Sequence, residues 1–430
     1  MSWEDPVNAY RITKASALQI LDSRGNPTLS VTVELGDGTT ATAGVPSGAS
    51  TGAREAVELR DGDAARYGGK GVLNAAATVN SEIAELLLSR TWPGLEDIDA
   101  ALIELDGTPN KSRLGANAVV GVSIACARAL AAADRTPLWR WLSDPETELC
   151  LPVPHFNVIN GGAHAANPLD FQEFMIAPLG APSIAEAVRA GAEVYTALRR
   201  ELVALRESTG LGDEGGFAPG VTEPEEALRL LVAAIEAAGY TPGRDGVSIA
   251  LDPAANGFFQ SDGRYRIAGE QLTSSELISR YAAMIERFPI HSIEDGLAED
   301  DEAGWIAMTA QLGERIQIVG DDIFVTDPDA IARGAERGIA NAALIKVNQI
   351  GTVTQTRQAL AAARTAGYGA MISHRSGETC DDFIADLAVG SGAGQLKSGA
   401  PARGERVAKY NRLMAIADAN PGLPYGAAKF

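Results

Sequence analysis

The chain has 430 residues, 46% of them hydrophobic and 21% charged, which is enough to bury a large core and suggests two or three domains. Acidic residues outnumber basic ones, 56 to 36, for a net charge of −20, and no Lys/Arg-rich block interrupts that balance. The imbalance argues against nucleic acid or a membrane as partner, though local basic groups or a metal ion can still hold a small anion in a cleft.

Residues 11 to 45 alternate apolar and polar in two runs, Ala17 to Asp22 and Thr28 to Leu35. Gly25-Asn26-Pro27 and Gly36-Asp37-Gly38 punctuate them, predicting a meander of short antiparallel strands. Helical patterns follow at Val72 to Leu88 and Ala116 to Ala133. Pro137, Pro145 and Pro152 mark a change of pattern, which places a domain boundary near residues 138 to 150: residues 1–140 as an α+β capping domain, 141–430 as the catalytic one. After Leu151, strand-like runs (Phe174 to Ile176, Val247 to Leu251, Ile290 to Ile293, Ile316 to Val319, Ala343 to Ile345, Ala370 to Ile372) alternate with helical patterns such as Ile184 to Leu205, Pro224 to Ala238 and Ser274 to Arg287. Asp252, Glu294, Asp321, Lys346, His374 and Lys397 follow one another at intervals of 42, 27, 25, 28 and 23 positions. A βα unit takes about 30 residues, so these intervals predict one functional residue per unit of an α/β barrel rather than the single crevice of an open sheet.

Three acidic strand ends stand out: Leu251-Asp252, Ile293-Glu294-Asp295 and Gly320-Asp321-Asp322. Carboxylates sharing one cavity repel unless a cation neutralises them, and oxygen-only ligands select a hard ion, Mg²⁺ before Mn²⁺. Spacing alone does not separate Glu294 from Asp295, or Asp321 from Asp322. Lys346 closes an apolar run and Lys397 follows Gln395-Leu396, so both are expected at strand ends. A poorly hydrated lysine there is expected to have a lowered pKa and to take protons. Glycine-flanked segments carry His164 and Glu214, and Glu173 sits just before a strand. Glu173 and Glu214 suit a carboxyl pair sharing a proton, able to assist a leaving hydroxyl. His155 and His291 lie outside such motifs and read as packed or capping residues. Val45 to Gly52 has the small and hydroxyl residues of a mobile lid, and Arg375-Ser376 offers donors suited to a phosphate or phosphonate.

The cysteines Cys126, Cys150 and Cys380 are odd in number and far apart, which favours buried, reduced thiols over disulfides or a zinc site. The start lacks the basic and apolar regions of a secretory leader, and no uncharged apolar stretch reaches the roughly 18 residues of a membrane span. The chain reads as cytoplasmic.

The stretches Leu21-Asp22-Ser23-Arg24-Gly25-Asn26-Pro27-Thr28, Ser47 to Gly52, Leu105-Asp106-Gly107-Thr108, Lys111 to Ala118 and Lys397-Ser398-Gly399-Ala400-Pro401-Ala402-Arg403, with the His164, Glu173, Glu214, Lys346 and His374 motifs, resemble the enolase family in order along almost the whole chain. The resemblance implies an α/β barrel with irregular opening strands, preceded by an α+β domain. It implies Mg-dependent dehydration of 2-phosphoglycerate to phosphoenolpyruvate, with two Mg²⁺ per site. Asp252, Glu294 and Asp321 would hold the first ion, and Ser50 would join the second. Lys346 would be the base and Glu214, supported by Glu173, would assist loss of the C3 hydroxyl. Lys397 would hold the substrate carboxylate and Arg375 and Ser376 the phosphoryl group, with Ala49, His164 and His374 completing the site. A homodimer or homo-octamer is implied as well.

Some residues depart from the family's usual pattern: Gly296-Leu297 after Glu294-Asp295, Pro253 to Gly257 after Asp252, His155, and Gly404. Two alternatives therefore stay open, a paralogue acting on a related phosphonate or phosphorylated hydroxy acid, and a non-catalytic binding or structural protein on the same scaffold.

Overall fold

A computed structural model describes residues 9–49 and 52–426. Alternating side chains build Ile12–Leu21 (β1) and Pro27–Leu35 (β2) into an antiparallel ribbon, and Thr40–Gly44 (β3) completes a sheet in the order β1-β2-β3. Leu29, Val31, Val33 and Leu35 all point from β2 into the core, as a period of two requires. Helix Ala116–Ala133 packs across β2 and β3, and its Gly121 sits against Val31 and Val45, where a Cβ would collide with both. This helix is long and apolar enough to cross a membrane, yet 83% of it is buried in the protein core. The expected Val72 to Leu88 helix is present as Leu73–Thr78 and Ala84–Leu88, joined by a π turn at Val79–Ile83.

The remainder forms a closed barrel of eight strands. Val153–Asn160 (β4), Glu173–Ala177 (β5) and Ser248–Asp252 (β6) open it. A small hairpin, Tyr265–Ile267 (β7) and Glu270–Leu272 (β8), lies outside it. Ile290–Glu294 (β9), Gln317–Gly320 (β10), Ala342–Ile345 (β11), Gly369–Ser373 (β12) and Gln395–Lys397 (β13) close it in the order β10-β11-β12-β13-β4-β5-β6-β9. Every pairing in the barrel is parallel except those of β5, which runs against both β4 and β6. The reversal places the first residue of β5 level with the last residues of its neighbours: Glu173 pairs in register with Asn160 and with Asp252. Helices such as Ile184–Ala204, Pro224–Ala237 and Ser274–Arg287 occupy the predicted spans to within a residue. The last begins with a capping box between Thr273 and Glu276.

Two cysteines are buried as expected, but Cys380 is exposed, because it follows β12 in a loop at the surface. His155 and His291 are indeed packed, and they meet each other inside the barrel: their Nε2 atoms are 3.1 Å apart, and His155 Nδ1 lies 3.2 Å from the Val153 carbonyl. Burial pushes His155 down to about 4, so the ring is neutral in the native barrel.

Two outcomes follow from this packing. Gly191 faces the Phe156 ring so closely that a Cβ would overlap it. Gly191→Ala is expected to cost about 1–3 kcal/mol in urea unfolding, while Gly404→Ala, with nothing within 4 Å, should cost nothing. For His155, the unfolded chain binds a proton below its ordinary value of 6.5 that the native barrel refuses until about 4, so stability drops as pH falls through that window. His155→Leu should remove about 2 kcal/mol of the loss between pH 7.5 and 5. An unchanged acid limb would show that the native ring is already protonated or solvated.

Candidate active site

The parallel barrel strands all end on one face, and each delivers a polar side chain there: Asp252 from β6, Glu294 from β9, Asp321 just past β10, Lys346 just past β11, His374 just past β12 and Lys397 from β13. The loop after β4 adds His164, the segment after Ile184–Ala204 adds Glu214, and the reversed β5 adds Glu173. A cavity on this face is lined by these groups other than Glu294, by Arg375, Ser376 and Ala49, and by Gln172, Asp295 and Asp322. Glu294 contacts the Lys397 ammonium instead. Ser50 lies outside the described residues.

Lys397 is the electrostatic centre. Its Nζ is 3.0 Å from Asp252 Oδ2, 2.9 Å from both Glu294 oxygens and 3.2 Å from Glu173 Oε2. Burial pulls the pKa of this lysine down, but Asp252, Glu173 and Glu294 together hold it well above the ordinary value. Lys346 pairs with Asp321, so the expected lowering of its pKa is not found. Burial pulls it down, and the Asp321 carboxylate more than offsets that, leaving the amine protonated in this state. Asp321 is correspondingly depressed: burial would raise it, and Lys346 outweighs the burial. Glu294 is raised by burial and by its neighbour Asp252, with Asp321 adding to the repulsion.

Spacing could not separate the paired acids, and both members of each pair reach the site's surroundings. Asp295, at a φ of 40°, accepts the backbone N–H groups of Asp321 (2.8 Å) and Asp322 (2.9 Å), tying the ends of β9 and β10 together while still lining the cavity. Asp322 accepts from Asn256 at 2.8 Å. Among the described residues, two sets bring ligand atoms within 4.8 Å of one another: Asp295, Asp321 and Asp322, and His164, Glu173 and Glu214. Asp252 and Glu294 converge instead on the Lys397 ammonium. With carboxylate oxygens repelling one another and two ammoniums as counter-charge, the donor set fits a hard divalent cation and not a thiophilic one.

The two carboxyl groups of Glu173 and Glu214 are shifted in opposite directions. Burial and the Glu214 charge push Glu173 well above the usual range. Glu214 lies well below it: burial would raise it, but His374 and His164 outweigh that. His164 Nδ1 stands 3.7 Å from Glu173 Oε1 and 3.6 Å from Glu214 Oε1. Asn157 donates to Glu214 Oε2 at 2.9 Å, and His374 Nε2 stands 3.2 Å from the same oxygen, without the alignment of a straight hydrogen bond.

The N-terminal residues cover this face. Ser47 and Gly377 exchange backbone hydrogen bonds (2.8 and 2.9 Å), and Arg24 donates to Ser376 Oγ at 3.1 Å. Glu55 accepts from both terminal nitrogens of Arg375, at 3.0 and 3.3 Å. Gln349 donates to Glu55 at 3.2 Å and to Asp321 at 2.9 Å, so it bridges the two. Sequence reasoning missed Glu55, Gln349, Asn157 and Arg406. Each acts on the site through another side chain, and no local pattern marks such a residue.

Two family models match the chain: "Enolase, N-terminal domain" over residues 12–142 and "Enolase, C-terminal TIM barrel domain" over residues 148–422. A curated enolase of Acidothermus cellulolyticus is 56% identical over 405 residues, covering 94% of this chain and 94% of that protein. With a closed eight-stranded barrel, an N-terminal unit over its mouth and the motif residues gathered on one face, the chain belongs to the enolase family.

Proposed function

We propose that the chain dehydrates 2-phosphoglycerate to phosphoenolpyruvate, as a lyase of the enolase family, and that the same site runs the reverse hydration. The observation that carries this reading is the convergence, in one cavity, of two buried lysines with a carboxyl pair whose affinities for a proton are driven apart. The C2 proton of the substrate is very weakly acidic because it lies beside a carboxylate. Its removal leaves a dianionic aci-carboxylate, which must be met by positive charge already in place. Lys346 is the base and Lys397 the fixed cation beside the developing charge. Arg375 and Ser376 hold the phosphoryl group, and Ala49 and His164 close the pocket around it. Hydroxide is a poor leaving group, so Glu214 and Glu173, sharing one proton and steered by His164 and His374, supply that proton as the C3–O bond breaks.

Asp252, Glu294 and Asp321 would hold one Mg²⁺ and Ser50 would join a second; bound there, the ions would supply Lewis-acid stabilisation of the carboxylate and take up the Asp321 charge that keeps Lys346 protonated. The protein is proposed to act in the cytoplasm, as a homodimer or homo-octamer, with residues 1–140 capping a catalytic barrel over 141–430.

A coupled absorbance assay with purified protein, 2-phosphoglycerate and Mg²⁺ should give turnover that a chelator abolishes and Mg²⁺ restores. Activity indifferent to chelation, or none on this substrate, would refute the reading. Lys346→Ala should lose at least about 100-fold in turnover and abolish exchange of the C2 proton with solvent, while Mg²⁺ binding by calorimetry is largely kept. Persistent exchange would take the base assignment away from Lys346.

A further inference from the structure

Arg406, on the final helix Gly404–Ala419, is fully buried and does not line the cavity. Its guanidinium nevertheless reaches the segments that carry Glu214, His374, Arg375 and Ser376. One terminal nitrogen contacts His374 Nδ1 and donates to the Arg375 carbonyl at 2.7 Å. The other donates to the Ser376 carbonyl at 2.6 Å, to the Asp213 carbonyl at 3.1 Å and to Ser23 Oγ at 3.3 Å. Gly399 is shaped around this side chain: its φ is +77°, and a Cβ there would stand 2.8 Å from Arg406 Cδ.

A guanidinium has five donors and no acceptor. His374 Nδ1 must therefore be the accepting nitrogen, and a neutral ring then carries its proton on Nε2, the nitrogen facing Glu214. Burial together with the adjacent guanidinium keeps His374 neutral, pushing it down to about 3 despite the opposing pull of Glu214. The ring thus turns an N–H, not a lone pair, toward the Glu214 carboxylate.

We propose that Arg406 is a positioning residue for the dehydration step: it holds His374 with its proton on Nε2 and, through the Asp213 carbonyl, sets the distance of Glu214 from that proton. This rests on the acid–base roles assigned above and adds a residue that touches neither substrate nor metal ligands. Without the fork, His374 Nδ1 can take the proton and offer Glu214 a lone pair. The charge division between Glu214 and Glu173 then weakens, while the groups that bind the substrate carboxylate are untouched.

The chain has only four histidines, so ¹⁵N-histidine labelling of the full-length protein resolves the tautomer directly. Wild type should show a neutral His374 protonated on Nε2, assigned by its loss in His374→Gln. A His374 protonated on Nδ1 in wild type overturns the proposal without any Arg406 variant having to fold. Arg406→Met, which has no donor, should convert His374 to the Nδ1-protonated or a mixed form and lower kcat about 100-fold, with KM for 2-phosphoglycerate rising by a smaller factor because the Arg375 and Ser376 carbonyls lose a donor as well. Arg406→Lys, which keeps a donor, should recover part of the tautomer and of kcat. In a His374→Gln background Arg406→Met should cost little further kcat. Full additivity there, or an unchanged tautomer with reduced activity, would reduce Arg406 to a structural residue. Absence of dehydration in wild type with the Nε2 tautomer present would instead refute the assigned reaction and leave the positioning intact.

Discussion

The site rests on a buried ammonium surrounded by carboxylates. Lys397 has no contact with solvent to speak of, and its nitrogen touches Asp252, Glu294 and Glu173 at once. Each of those acids would be costly to bury alone, and each lysine likewise; together they are mutually stabilising only at this geometry. The arrangement is still one of excess negative charge, three carboxylates around one ammonium, and burial together with their mutual repulsion raises Glu294 and Glu173. An excess of this kind suits a further cation.

Holding such charges in place demands rigid supports, and the barrel supplies them. Parallel strands end on a common face, so residues distant in sequence arrive with their side chains directed at one volume. The reversed β5 is the exception that completes the set. It brings Glu173 to that face from the start of a strand instead of its end. A second set of supports comes from outside the barrel. Glu55 orients Arg375, Gln349 joins Glu55 to Asp321, and Arg406 joins Glu214's segment to His374. Arg375, Ser376, His374 and the Glu214 segment are thereby connected to the N-terminal unit, through Ser23, Arg24 and Ser47 as well as Glu55.

Lys346 shows how context overrides a local rule. A desolvated lysine at a strand end should lose its proton readily, but the facing Asp321 carboxylate reverses the balance in this state. Cys380 is a milder case: its exposure follows from a surface loop that composition could not place.

Period-two and period-3.6 patterns, proline punctuation and regular spacing determined the N-terminal meander, most barrel strands and several of the longer helices, because these depend on which side of each element faces the core, whereas the opening barrel strand Val153–Asn160 and the β7–β8 hairpin were not marked by them. Motif identity likewise determined the side chains that gather at the barrel mouth. Tertiary structure alone decided what each of two adjacent acids contacts: Glu294 meets the Lys397 ammonium, while Asp295 accepts the Asp321 and Asp322 backbone N–H groups. It alone decided the direction of β5, the protonation of Lys346 and the supporting roles of Glu55, Gln349 and Arg406. Those properties come from pairs of groups brought together across hundreds of residues, and a buried electrostatic contact leaves no trace in the sequence around either partner.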